Sequence, residues 1–207
     1  MTRPTVGERR FSAEVSSAVR LALILLVLCG VIYPLAVVGV GQVVAPHQAN
    51  GSLITYRGKV VGSSLIGQNV TNPGWFWPRL SATPGFPYNA AFSSGSNYGA
   101  TNRALMAEVE SAVTRLVKAD PGLSPRDIPM NLVTSSASGL DPDITPQAAL
   151  VQVPRVHRIS GVPTAVLDAM IARLTEGRAL GMYGQARVNV LELNMALLTY
   201  ERTHRGG

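Results

Sequence analysis

The stretch from Thr134 to Asp143 reads Thr-Ser-Ser-Ala-Ser-Gly-Leu-Asp-Pro-Asp and is the chain's densest run of side chains able to do chemistry. Ser136 and Ser138 lie among small residues, as a hydrolase nucleophile would, with Asp141 and Asp143 close behind. A nucleophile elbow needs Gly-x-Ser-x-Gly, because glycine on each side allows the strained turn that lifts the hydroxyl. Ser136-Ala-Ser138-Gly139 lacks the first of those glycines. A serine also needs a base within hydrogen-bond reach. Of His47, His157 and His204, only His157 is a candidate, beside Arg155 and Arg158. The competing reading is a loop whose Ser, Gly and Asp residues bond their own backbone and cap the next helix. Just downstream, Gln147 and Gln152 have amides that could bond an adenine edge, although exposed glutamines are common.

Other chemistries are excluded by what the sequence lacks. There is no Gly-x-x-x-x-Gly-Lys-[Ser/Thr], no Gly-x-Gly-x-x-Gly and no His-Glu-x-x-His. An autonomous ATPase, dehydrogenase or zinc protease is therefore unsupported. The single cysteine, Cys29, rules out a disulfide framework and a cysteine-based zinc site within one chain. No acid occurs between Glu14 and Glu108, so that stretch offers no carboxylates for a divalent cation or for paired acid–base work. The net charge of +6 resides in the first half, where eight basic residues face two acids, while the second half holds ten of each. The basic residues of the first half are scattered and form no stripe, which argues against a nucleic-acid partner.

The elements that must carry these residues begin with an apolar run. Charged residues are only 14% of the 207, and the mean hydropathy is +0.20. Leu21 to Ala45 contains no charge, and Gln42 is its one strongly polar side chain. At about 1.5 Å per residue, a helix of this length crosses the roughly 30 Å hydrocarbon layer of a bilayer. A cleaved signal peptide has a shorter apolar region, about 7–15 residues. Pro34 and glycines 30, 39 and 41 are tolerated in lipid, and the glycines let a partner helix approach. Arg3, Arg9, Arg10 and Arg20 precede the run, and the next basic residues are Arg57 and Lys59. The bias predicts a cytoplasmic N-terminus with the bulk of the chain outside.

The expected layout is a cytoplasmic tail over residues 1–20, a membrane helix over 21–45 and one extracytoplasmic α+β domain over 46–207. Its first half is expected to be β-rich and its second helical. Leu53–Tyr56 and Val60–Val61 flank Arg57-Gly58-Lys59 as a hairpin, with another short strand at Leu65-Ile66. Seven aromatics from Trp75 to Tyr98 are read mostly as core anchors. Leu105, Val109, Val113 and Leu116 recur at helical spacing, capped by Thr101 or Asn102 and stopped at Pro121-Gly122. Thr145-Pro146 opens a helix that runs past a disturbance at Pro154 to Gly161. Pro163 opens another that Gly177 stops, and Asn189 with Glu192 opens the last.

Several segments taken together resemble one family. They are Gly30-Val-Ile-Tyr-Pro34, Gln48-Ala-Asn-Gly-Ser-Leu-Ile54, Gly62-Ser-Ser-Leu-Ile-Gly-Gln-Asn69, Ser81-Ala-Thr83, Pro87-Tyr-Asn89, Gly95-Ser-Asn97, Val133 through Ala149, Gln152-Val-Pro-Arg-Val156 and Val190-Leu-Glu-Leu-Asn194. In colinear order, from about residue 18 to about residue 200, they resemble the C subunit of the Kdp potassium-transporting ATPase. The resemblance implies a non-catalytic accessory subunit in the plasma membrane. Its partners would be a channel-like potassium-binding subunit, a P-type ATPase subunit and membrane lipid. It also implies a catalytic chaperone that raises the pump subunit's ATP affinity, with Gln147, Gln152, Ser136 and Ser138 as candidate nucleotide contacts. ATP would reach the chain only through that partner, and ATP is cytoplasmic whereas the domain is expected outside. The chain departs from the family's Arg-Pro-Ser-Ala at Arg79-Leu80-Ser81-Ala82, which should loosen one turn. It departs again at His157-Arg-Ile-Ser160, where the family's basic pattern changes.

Overall fold

The computed structural model of the chain describes residues 6–205, which divide into two units, Met1–Ser52 and Leu53–Gly207. The first five residues of the expected tail lie outside the described residues. In the first unit, helix α1 (Val6–Val27) passes through a π-helical segment (Leu28–Ile32) into α2 (Tyr33–Val44). The helix thus begins well before the apolar run. Pro34 explains the π segment: it has no N–H for the Gly30 carbonyl, and its ring crowds that oxygen. The Tyr33 N–H instead bonds the Leu28 carbonyl, five residues back. Ala13–Val44 forms 32 residues of helix long and apolar enough to cross a membrane, with none of its most apolar stretch buried. A short helix, α3 (Pro46–Ala49), follows, and the amides of Gln42 and Asn50 exchange hydrogen bonds of 3.2 and 3.0 Å.

The second unit opens with the expected hairpin, β1 (Leu53–Tyr56) and β2 (Lys59–Ser63), paired antiparallel. Arg57 and Gly58 both have positive φ, 54° and 75°, which matches the right-handed twist of a two-residue hairpin turn. Leu65-Ile66, expected as a strand, forms a turn instead. The β-rich first half is also corrected. Residues 64–102 have no extended ladder and are held by hydrogen bonds between side chains and backbone. The larger sheet belongs to the second half: β3 (Asp143–Ile144), β4 (Thr175–Glu176) and β5 (Arg187–Asn189) lie antiparallel in the order β3-β5-β4.

The helices follow their sequence signals more closely. Asn102 caps α4 (Arg103–Ala119), its side chain accepting from the Ala104 N–H at 2.8 Å. The helix expected across 146–160 is two, α5 (Pro146–Leu150) and α6 (Val153–Ser160). Pro154 cannot donate to the Leu150 carbonyl, so the chain turns at Val151-Gln152. Gly161 closes α6 in the left-handed conformation, donating to His157 at 2.8 Å. Helix α7 (Thr164–Leu174) runs directly into β4, before Gly177 is reached. Helix α8 (Val190–Arg205) starts where Asn189 Oδ1 accepts from the Glu192 N–H at 3.1 Å.

Leu132, Ile144, Leu167, Ile171, Val188, Leu193 and Leu197 form the core with Phe76 and Trp77. Two side-chain amides do for these aromatics what a neighbouring strand would. Asn194 accepts from the Phe76 N–H at 2.9 Å and donates to its carbonyl at 3.0 Å. Gln152 accepts from the Trp77 N–H at 2.8 Å and donates to its carbonyl at 3.1 Å. Arg155, 2% exposed, donates to the Pro73 and Trp75 carbonyls and to Gln152 Oε1, with its guanidinium 4.2 Å from the Trp77 ring centre. Of the other aromatics, Tyr88 is buried, whereas Phe86, Phe92 and Tyr98 are exposed.

Asn194→Ala would strand a buried donor and acceptor on Phe76. At about 1–3 kcal/mol for each unsatisfied group, the loss should reach several kcal/mol. Equilibrium urea unfolding of the full chain in detergent measures it, and a loss below about 1 kcal/mol would mean water replaces the clamp.

Candidate functional site

The serine-rich loop lies in a cradle formed by Gly67 and residues 79–95. The Ser81 hydroxyl donates to the Gly139 carbonyl at 2.7 Å and accepts from the Tyr88 N–H at 2.8 Å. Ser94 N–H and Ser93 Oγ both donate to the Ser138 carbonyl at 3.0 Å. Gly67 N–H donates to the Leu140 carbonyl at 2.8 Å. Arg79 pairs with Asp141 at 2.8 Å, and the Tyr88 hydroxyl donates to the Arg79 carbonyl at the same distance. Leu80, expected to leave a looser turn, is instead fixed by a parallel bridge to Ser135.

Two glycines make the close seating possible. A Cβ on Gly67 would sit 2.3 Å from the Tyr88 ring and 2.7 Å from the Asp141 carbonyl oxygen. Gly139 has φ +68°, and a Cβ there would lie 2.5 Å from the Ser94 carbonyl oxygen. Tyr88 itself holds φ 62°, an unfavourable value for a bulky residue. Its N–H bond to Ser81 and its hydroxyl bond to Arg79 hold it there.

The four sequence-predicted contacts differ in exposure and in what they bond. Ser136 is buried, and its carbonyl accepts from the Gly139 N–H at 3.3 Å. Ser138 is exposed, and its hydroxyl accepts from the Leu140 N–H at 3.1 Å. Gln147 is exposed on α5. Gln152 is 2% exposed and bonds Trp77, Ala148 and Arg155, so an adenine could reach it only by breaking that clamp. Among the described residues neither Ser136 nor Ser138 is bonded to a histidine. His157 Nδ1 lies 2.7 Å from the Val162 carbonyl oxygen, and His204 stacks on Tyr200. Among the described residues no group of three or more His, Cys, Asp or Glu side chains is placed to hold a metal ion.

Arg79, Ser81 and Tyr88, which hold the cradle, fall in the segments Arg79-Leu80-Ser81-Ala82 and Pro87-Tyr-Asn89 that resemble the family, but no chemical motif marks them as site residues; the recurrence of glycine and serine between positions 62 and 95 hints only at close packing. A cleft of about 240 Å³ opens beside them, lined by Arg79, Ser81, Tyr88, Glu108, Ser111 and Arg115 among others. It is smaller than the roughly 300–1,000 Å³ of pockets for drug-sized ligands. Burial, and then the Asp141 charge, push the Tyr88 phenol well above its ordinary range, so it remains a proton donor. Burial lowers Arg155 to about 10, still protonated at neutral pH, with Asp120 opposing the shift. Burial also raises Asp143, against the pull of Arg187 at 3.1 Å. The arrangement is a polar surface with most of its hydroxyls engaged by its own backbone.

Comparison with known proteins gives that surface its setting. The family model described as "K+-transporting ATPase, c chain" matches residues 15–199. A "Potassium-transporting ATPase KdpC subunit" of Polaromonas naphthalenivorans (strain CJ2) is 52% identical over 180 residues, 87% of this chain and 91% of its own length. One of Geobacter sulfurreducens is 50% identical over 187 residues, 90% of this chain and 97% of its own. One of Caldanaerobacter subterraneus is 42% identical over 192 residues, 93% of this chain and 98% of its own. The chain belongs to the KdpC family of potassium-transporting ATPase subunits. It therefore has an accessory part in potassium transport, within a complex that contains other subunits.

The raised Asp143 pKa has a testable sign. The folded state binds this proton more tightly than the unfolded state, so acidification through the folded value favours folding. Relative to Asp143→Asn, the wild type should gain stability between pH 7 and about pH 4. Urea unfolding of both chains across that range checks it, and a constant or opposite difference refutes the assignment.

Proposed function

We propose that the chain is a single-span, non-catalytic subunit that holds a channel-like potassium-binding subunit and a P-type ATPase subunit in one complex in the plasma membrane. The observation that carries this reading is the helix Ala13–Val44, with none of its most apolar stretch buried. Such a surface needs lipid or partner helices around it. Nothing lies within 4 Å of a Cβ placed on Gly30 or Gly39, which leaves room for a helix to approach closely. The arginines that precede the span favour a cytoplasmic N-terminus and an extracytoplasmic Leu53–Gly207 unit.

In this reading potassium is coordinated by carbonyl oxygens of the channel-like subunit. This chain contributes a neighbouring stretch without side-chain carboxylates, from Val15 to Ala107, and so no competing fixed anion. Any rise in the ATP affinity of the pump subunit is transmitted through assembly rather than by Gln152, whose amide serves the core. ATP is then the partner's ligand and is not bound by this chain alone.

Deleting Leu21–Val44 while exporting the remainder should abolish co-purification with the pump, and an intact complex without the span would refute the anchoring. Protease added to right-side-out spheroplasts should digest the C-terminal unit once the transporter is dissociated. Protection under that condition would reverse the orientation.

A further inference from the structure

The connection from β4 to β5 carries apolar side chains that the assembly reading leaves unexplained. Leu180 is 86% exposed, the highest value for a large apolar side chain among the described residues of the second unit, and Met182 and Tyr183 follow at 70% and 66%. Large apolar side chains gathered at one tip, unlike those scattered singly, mark a contact site. The tip is also a built turn. Ala179 and Tyr183 exchange backbone hydrogen bonds of 2.8 and 2.9 Å, and the Gly181 and Met182 N–H groups donate to the Arg178 and Ala179 carbonyls at 3.0 and 3.1 Å. Leu180 holds φ 53° and Gly181 φ 73°. A leucine in the left-handed region is unfavourable, and here it stands at the apex with its side chain in the open. From Gly177 to Leu191 the chain has no carboxylate, and of the two arginines there Arg187 is taken by Asp143 and Glu176.

We propose that Leu180, Met182 and Tyr183 insert into the headgroup and upper acyl region of the bilayer that anchors the chain, as a second and shallow membrane contact. The proposal rests on the membrane-anchored reading above. Chain length brings the lipid within reach. Only residues 45–52 connect α2 to the second unit. A fully extended chain of that length spans about 28 Å, and the turn of α3 shortens it. The connection enters at Leu53, which pairs with Ser63, and the carbonyl of the adjoining Ser64 accepts from Asn189 Nδ2 at 2.8 Å. From Asn189 back to Tyr183 the chain spans at most about 21 Å. Composition selects lipid over a protein surface. Tyr183 has an apolar ring with a polar end, which suits the membrane–water interface, and Leu180 and Met182 suit the acyl layer beneath it. Without a carboxylate between Gly177 and Leu191, nothing on the tip repels lipid phosphates, and Arg178 at its base adds attraction. Three projecting side chains would insert weakly by themselves. The span already holds the unit at the surface, so the second contact is intramolecular and acts at high effective concentration.

The test uses the full-length chain in lipid nanodiscs together with both partner subunits. Met182→Cys, in a Cys29→Ser background, carries a nitrobenzoxadiazole label, and a second sample carries the same label on Glu110→Cys, exposed on α4. A nitroxide on the lipid headgroup or upper acyl chain should quench the label at 182 about three-fold more than the label at 110, because interfacial side chains sit within about 5–10 Å of the headgroup boundary. Adding Leu180→Asp and Tyr183→Ser should cut that quenching to the level at 110. The melting temperature should change little, since both side chains are largely exposed. A label at 182 that aqueous iodide quenches, and lipid nitroxide quenches no more than at 110, would place the tip in water and overturn the proposal. A label shielded from iodide yet untouched by lipid nitroxide would place the tip against a partner subunit and overturn it equally. The native Cys29, labelled in the wild type, separates this from the anchoring reading. Nitroxides deep in the acyl chains should quench it. If they do not, anchoring fails and insertion with it, whereas a quenched label at 29 beside an unquenched one at 182 overturns insertion alone.

Discussion

A buried segment of backbone with no neighbouring strand is the constraint around which the second unit is arranged. Residues 75–77 put two large aromatics into the core, and their peptide groups enter with them. Buried N–H and C=O groups almost always find partners, because leaving one unmet costs about 1–3 kcal/mol. The chain supplies those partners from side chains distant in sequence: Asn194 for Phe76 and Gln152 for Trp77. Arg155 completes the set by taking carbonyls of Pro73 and Trp75. Each donor stands on or beside a helix whose position is fixed by the core. The irregular residues 64–102 therefore inherit their order from the helical half.

Arg155 shows why the arrangement tolerates a buried cation. Among the described residues no carboxylate pairs with it directly. Carbonyl dipoles, the Gln152 oxygen and the Trp77 face share its charge, and burial still lowers its pKa to about 10. Removing any one of these partners would leave a desolvated charge less compensated, which is costlier than losing an ordinary hydrogen bond. The same logic fixes the α6 end, where Arg158 reaches the buried Asp120 at 2.8 Å and the Ala119 carbonyl at 2.6 Å. The changed basic pattern at His157-Arg-Ile-Ser160 thus has a structural role at the end of α4.

What could be read from the sequence was whatever depends on neighbours along the chain. The Arg57-Gly58 turn, the Asn102 cap, the left-handed Gly161 and the Asn189 start are local chemistry, and each stands where its residues indicated. Strands of two or three residues, such as β3 and β4, carry too little periodicity to register. Pro154 announced a disturbance, but a break into two helices depends also on where Gln152 is required. The site was legible only in part. Ser136 and Ser138 stand out in the sequence as hydroxyls, while their environment is set by Ser81, Ser94 and Gly67, all distant along the chain. Gln152 resembles a recognition residue in the sequence, whereas its amide bonds the backbone of Trp77.

Two arginines over one tryptophan show how environment divides a single residue type. Arg155 and Arg115 lie 4.2 and 5.2 Å from the Trp77 ring centre, and among the described residues neither has a carboxylate within ion-pair range. Arg155 is enclosed, and its hydrogen bonds go to the protein's own carbonyl and amide oxygens. Arg115 is exposed as a residue, although partial burial of its guanidinium still lowers its pKa. A guanidinium held against an aromatic face by cation–π attraction keeps less freedom than one in open solvent. Trp77 is held in turn by Gln152. The amide clamp that orders the core thereby fixes the platform against which the exposed guanidinium rests.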